Sequence, residues 1–137
     1  MATYNKFNCF VEDVAEGVHN LATGALTVAL TAAANAPVAT NTVLANLTQI
    51  AYTNLSARVI TTASSSQTSG TYSLVTNDLV LTASGAVATF RYVVVYNDTP
   101  TSPADPLICW YDHGSDVTLA NGETYTIDFG ASLFTLV

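Results

Sequence analysis

Asp112-His113-Gly114-Ser115-Asp116 is the one run where acids and a histidine crowd together, so acid/base chemistry or a divalent cation would be sought there first. Calcium asks for several oxygen ligands in a defined loop, and zinc asks for His or Cys at a repeated spacing. The run supplies neither in full. A turn leaving a strand accounts for the same residues, with Asp112 bonding local backbone and Gly114 taking a positive φ. His19 and Cys109 can be drawn into a Cys-His-Asp triad, but a chain with two histidines and two cysteines always permits that drawing. Gly17-Val18-His19-Asn20 reads instead as the exit from a helix, where a polar side chain meets free carbonyls. We therefore assign no catalytic, metal-binding or cofactor-binding residue, and expect no cofactor.

A third possibility is a stacking platform for a sugar, built from Tyr92, Tyr96, Trp110 and Tyr111, although core packing is the commoner use of such rings. Strand alternation places Tyr92, Val94 and Tyr96 on one face, with Arg91, Val93 and Val95 on the other. It likewise sets Ile108 and Trp110 against Leu107, Cys109 and Tyr111. Both faces are then rich in apolar groups. Such strands are either central, with something covering the outer side, or part of a subunit interface, and we favour the interface. Arg91 would need a carboxylate partner, for which Asp98, Asp112 and Asp128 are candidates.

These residues must be held by strands. Phe7, Phe10, Val11, Val14 and Val18 recur at helical spacing, which predicts a short amphipathic helix over Phe7 to Val18, or else an extended arm. Ala25 to Thr31 alternates with period two and predicts a half-buried strand. From Ala32 to Asn54 a long connection is expected, with a single helical turn near Val43 to Leu47. Arg58 to Thr62 reads as a short strand, and the Ser/Thr-rich stretch Ala63 to Gly70 as a loop. Tyr72 to Val75, Leu79 to Ala83 and Val87 to Tyr96 predict three consecutive antiparallel strands, the first two joined by a tight turn at Thr76-Asn77-Asp78. Leu107 to Tyr111 follows a proline-rich loop. Asn121-Gly122 predicts a hairpin between Val117 to Leu119 and Tyr125 to Phe129, and Ser132 to Val137 closes the series. Short strands at this spacing imply an all-β fold, an antiparallel β-sandwich of jelly-roll type, with an immunoglobulin-like topology as the alternative. We expect one domain over 1–137, with an N-terminal arm or helix at 1–20 and the sandwich at 21–137.

Composition narrows the function further. The 137 residues are 50% apolar and only 9% charged, where an average soluble domain has roughly 25% charged residues. The surface must be made of Thr, Ser, Asn and Ala, which can leave water cheaply against another protein. Three basic residues, Lys6, Arg58 and Arg91, stand against ten acids, too few to neutralise a phosphate backbone, so no nucleic acid is expected as a partner. The Ala-rich segment 22–39 is broken by Thr, Asn35 and Pro37, so no membrane span is expected. The N-terminal residues lack the basic and apolar regions of an export signal, and synthesis in the cytoplasm is expected. Cys9 and Cys109 both read as reduced and buried, and the three Asn-X-Ser/Thr matches at Asn46, Asn54 and Asn97 read as chance.

The order Tyr4-Asn5-Lys6-Phe7, Gly17-Val18-His19-Asn20-Leu21, Leu26-Thr27-Val28-Ala29-Leu30, Phe90 to Asp98, Leu107 to Asp112 and Asn121-Gly122-Glu123 resembles a group of small tailed-phage virion proteins. These are the capsid decoration, or cement, proteins made beside the major capsid protein, some of them jelly rolls. The resemblance implies a structural protein on the outside of an icosahedral head, synthesised in the host cytoplasm and assembled as a homodimer or homotrimer. It implies bridging of major capsid protein subunits and stabilisation of the expanded, DNA-filled shell. The residues expected at its interfaces are Phe7, Phe10, Val11, Val14, Tyr92, Val94, Tyr96 and Trp110. The segments Phe7 to Val18 and Ala32 to Asn54 are expected to reach capsid or sister subunits because they look weakly tied to the sandwich. Two rivals stand beside this: a tail or fibre component with a carbohydrate- or receptor-binding role, and a small hydrolase using Asp112, His113 and Asp116.

Overall fold

The computed structural model describes residues 2–137. Nine strands and one short helix follow in the order β1 (Thr3–Lys6), α1 (Cys9–Ala15), β2 (Leu26–Thr31), β3 (Thr62–Thr68), β4 (Thr71–Thr76), β5 (Leu79–Thr82), β6 (Phe90–Asn97), β7 (Leu107–Val117), β8 (Thr124–Ile127) and β9 (Phe134–Leu136). The strands form antiparallel sheets of order β1-β7-β6-β2, β3-β4-β9 and β5-β8. Side chains from all three sheets meet in one core, including Val28 and Val95 of the first, Leu74 and Phe134 of the second, and Leu81 and Ile127 of the third. The fold is thus all-β and antiparallel, consistent with a sandwich.

Its pairing is nested. The hairpin β6·β7 lies innermost, β5·β8 encloses it in sequence, and β4·β9 encloses both. This corrects the expectation of β4, β5 and β6 as a meander: after Thr76-Asn77-Asp78 the chain leaves one sheet for another. The Asn121-Gly122 hairpin is corrected for the same reason. Gly122 does adopt φ +86° in a tight turn, but β8 pairs with β5 rather than with the strand before the turn. Local turn chemistry bends the chain; the partner is set by burial of Leu81 and Ile127, both in the core.

The central strands are apolar on both faces because the chain covers both. Val93 and Val95 face the main core, whereas Val94 and Tyr96 join Phe7, Ala29 and Leu107 in a second cluster roofed by Leu44, Leu47 and Trp110. Leu44 and Leu47 belong to the connection after β2, which carries two 3-10 turns, Ala33–Asn35 and Leu44–Asn46. A bulge decides which side chains fall where. Val95 pairs with Cys109 but Tyr96 with Leu107, so Ile108 is skipped. The extra residue flips the alternation, and Leu107 shares the face of Trp110 instead of opposing it.

The helix is shorter than Phe7 to Val18. At its C-terminus the Gly17 amide donates to Val14 O (3.3 Å) and the Val18 amide to Asp13 O (2.8 Å), with Gly17 at φ +75°. This is a Schellman closure, and it stops the helix at Ala15. Phe7 precedes the helix and stacks on Trp110 with ring centroids 4.5 Å apart. Three further expectations need correction. Residues 3–6 form β1 rather than an arm. Residues 62–68 form β3 rather than a loop, and Arg58 to Thr62 makes only an isolated bridge, Val59 to Thr27, before β3 begins. β2 is wholly buried rather than half-buried.

Candidate functional site

The loop around Asp112 is a protrusion within β7. Phe90 pairs with Val117 and Tyr92 with Asp112, so residues 113–116 bulge out beyond what β6 can match. Asp112 builds this bulge. Arg91 Nε and Nη2 donate to its two carboxylate oxygens at 2.8 and 3.1 Å, and the Gly114 amide donates to Oδ1 at 2.8 Å, with Gly114 at φ +91°. Of the three carboxylates named for Arg91, the pair is Asp112. The Arg91 hydrogen bond, and then the Gly114 amide, hold the Asp112 carboxyl below its ordinary range. A carboxylate so occupied is an acceptor already in use. His113 is exposed and its Nδ1 lies 3.4 Å from the Tyr125 hydroxyl, while Asp116 is exposed. Among the described residues no three His, Cys, Asp or Glu side chains gather closely enough to hold a metal ion.

The Cys-His-Asp triad is not assembled. His19 meets Asn97 and the Phe10 ring, whereas Cys109 sits in β7 opposite Lys6 and Val95. Both cysteines are free; Cys109 is fully enclosed as expected, but Cys9 is only half-buried. Burial, and then the charge of Asp13, push the Cys9 thiol up to about 11, and burial pushes Cys109 up as well. Neither is a thiolate at neutral pH. The Cys9 thiol donates instead to the Thr42 and Leu107 carbonyls at 3.5 and 3.6 Å, tying the helix start to the roof segment.

The aromatic platform is likewise dispersed. Tyr96 and Tyr111 are buried, on opposite faces of the sheet, and Trp110 is half-covered by Phe7.

The eight interface candidates divide. Phe7, Phe10, Val94 and Tyr96 lie in the cores of this single chain, at most 5% exposed, which corrects their assignment. Val14, Tyr92 and Trp110 are half-buried, and Val11 is exposed. The two segments read as weakly tied are also anchored. Phe10 packs edge-on against Phe134 at 4.9 Å. In the long connection the Ile50 amide donates to Leu30 O (3.0 Å), and the Tyr52 hydroxyl accepts from the Leu30 amide (3.0 Å) and donates to Gln49 (2.6 Å). Arg58 then crosses the Tyr52 ring at 3.6 Å and donates to the Val28 carbonyl. This seals the outer edge of β2 with the chain's own backbone. No protein-family model, curated protein or solved structure matches the chain.

What the sequence did not reveal is the location of free surface. Large apolar side chains stand exposed at Tyr4, Val11, Val38, Val59 and Val80. Only Val11 among them was an interface candidate. The others sit in short or irregular segments where no periodicity distinguishes an outward valine from an inward one.

Proposed function

We propose that this chain is a structural virion protein that binds the outside of an icosahedral phage capsid as a homo-oligomer and cements neighbouring major capsid subunits. The observation that carries this is the surface. It is poor in charge, 9% of residues, and two of its three cations are already engaged with Tyr52 and Asp112. Thr, Ser, Asn and Ala supply the rest, so few ions must leave water when it docks. The resemblance in strand and turn residues points the same way. The nested ladders fit a jelly roll, a strand hairpin rolled up on itself, which is the finer fold we assign.

Docking relies on exposed positions such as Val11, Val38 and Val59 rather than on the faces of β6 and β7, which the chain covers itself. Binding that favours the expanded lattice over its precursor stabilises that lattice by the difference in affinity, multiplied over many copies. The test is the number of copies of this chain in purified particles, counted by quantitative mass spectrometry against the major capsid protein. A ratio near one, or a simple fraction of it, is expected. A handful of copies would place the chain in the tail, and none would remove it from the particle.

A further inference from the structure

Two strand edges border one cleft without a partner. β1 is the last strand of its sheet and β9 the last of its own, and a cleft of about 470 Å³ lies between them, lined by Tyr4, Lys6, Phe10 and residues 132–136. Phe134 and the half-buried Leu136 give it an apolar wall, with the buried Phe10 in edge-to-face contact behind Phe134. The Phe7 amide donates to Ile108 O at 3.2 Å just beyond the Lys6-to-Cys109 pair. In an antiparallel ladder that bond makes Lys6 and, two residues back, Tyr4 non-hydrogen-bonded positions toward β7. Their amides and carbonyls therefore point outward, and no group among the described residues meets them. Lys6 is also exposed and in no ion pair among the described residues, in a chain of net charge −7.

We propose that this cleft receives an extended segment of a partner protein. The segment adds as a strand to the outer edge of β1, turns an apolar side chain toward Phe134 and Leu136, and sets a carboxylate beside Lys6. Main-chain bonds to Tyr4 and Lys6 supply affinity whatever the sequence; the apolar wall and the lone cation supply choice. The outer edge of β2, by contrast, is closed by residues 50–60, so the two ends of the same sheet are not equivalent. The occupant is thus an extended, carboxylate-bearing segment of another protein, and the proposal does not depend on the capsid assignment.

Two eight-residue peptides, acetylated and amidated, alternating Val and Thr with a central Glu in one and Lys in the other, would be titrated into isotope-labelled protein and followed by amide NMR. Saturable shifts at Tyr4, Lys6 and Phe134 are expected, with the Glu peptide preferred by roughly fivefold. Lys6→Glu should reverse that preference while leaving the rest of the spectrum in place. Tyr4→Pro, which removes an amide pointing away from β7, should abolish the shifts. Shifts elsewhere only, no shift with either peptide, or an unchanged preference in Lys6→Glu would overturn the proposal. So would concentration-dependent pairing of β1 with a second copy in the peptide-free protein, because the edge would then already be filled.

Discussion

Asn97 Nδ2 donates to His19 Nδ1 across 3.2 Å, fastening the end of β6 to the corner that follows α1. The Thr99 amide donates to Asn97 Oδ1 at 3.1 Å, which fixes the amide's orientation. His19 Nδ1 is then the acceptor, and Nε2 carries the proton of the neutral ring. Asn97 has no exposed surface, so its loss would leave buried polar groups unmet. Asn97→Ala should lower unfolding free energy by about 1–3 kcal/mol, measured by denaturant titration.

Gly24 makes the same corner possible. A Cβ there would lie 2.7 Å from the Asn20 carbonyl and 2.8 Å from Asn97 Nδ2, and the carbonyl is backbone that cannot swing aside. Gly24→Ala should therefore destabilise by about 1–3 kcal/mol despite the better intrinsic propensity of alanine, and a thermal melt would show it.

Burial holds His19 neutral, lowering its pKa from 6.5 to about 4. Between those values the unfolded chain binds the proton that the folded chain refuses. Stability is fully present above pH 6.5 and falls as the pH drops toward 4, at no more than about 1.4 kcal/mol per pH unit. His19→Gln should flatten that stretch of the stability curve. The Asp112 carboxyl, held below its ordinary value, acts in a lower window: its contribution is present above 3.8 and lost on further acidification, so the two groups separate in an acid titration.

At the β7 bulge, Asp112 serves two hydrogen-bond partners and Arg91 one. Asp112→Ala should accordingly depress Tm more than Arg91→Ala, because it also frees the Gly114 amide from the turn. His113→Ala, at an exposed site, should leave Tm unchanged. Equal effects of the first two substitutions would mean that the ion pair alone holds the bulge.

Phe10 has 1% of its surface exposed and packs on both Phe134 and His19. Phe10→Ala should cost about 3–5 kcal/mol. Removing residues 1–18 takes β1, Phe7 and Phe10 together, and the cooperative melting transition followed by near-ultraviolet circular dichroism should be lost.

Where strands carry apolar or β-branched side chains into the core, as in β2, β4 and β6, residue type and alternation in the sequence were enough to locate them. β3 was invisible because its Ser and Thr contribute little to any core; it is held by its ladder to β4 and by contacts such as Ser65 Oγ to the Tyr72 hydroxyl at 2.7 Å. The turn at Gly114 was legible, since Asp and Gly at that spacing act locally. The roof over Val94 and Tyr96 was not, because Leu44 and Leu47 come from a segment without periodicity some fifty residues away in the sequence. Two-sided apolar strands announce that they are covered but not by what. Half of the interface candidates consequently turned out to be core.

The nested ladders also set the order in which the chain can be built. Among the nested pairs only β6 and β7, separated by residues 98–106, can find each other across a short loop; the β3·β4 hairpin, joined by residues 69–70, forms locally and lies outside the nest. Once they pair, the ends of β5 and β8 are brought close, and their pairing in turn brings β4 and β9 together. Each closure shortens the effective loop for the next, which lowers the entropic cost of pairing outward from β6 and β7. The proline-bearing crossing between β6 and β7, which contributes almost nothing to the core, is therefore the loop that the innermost of these closures must span.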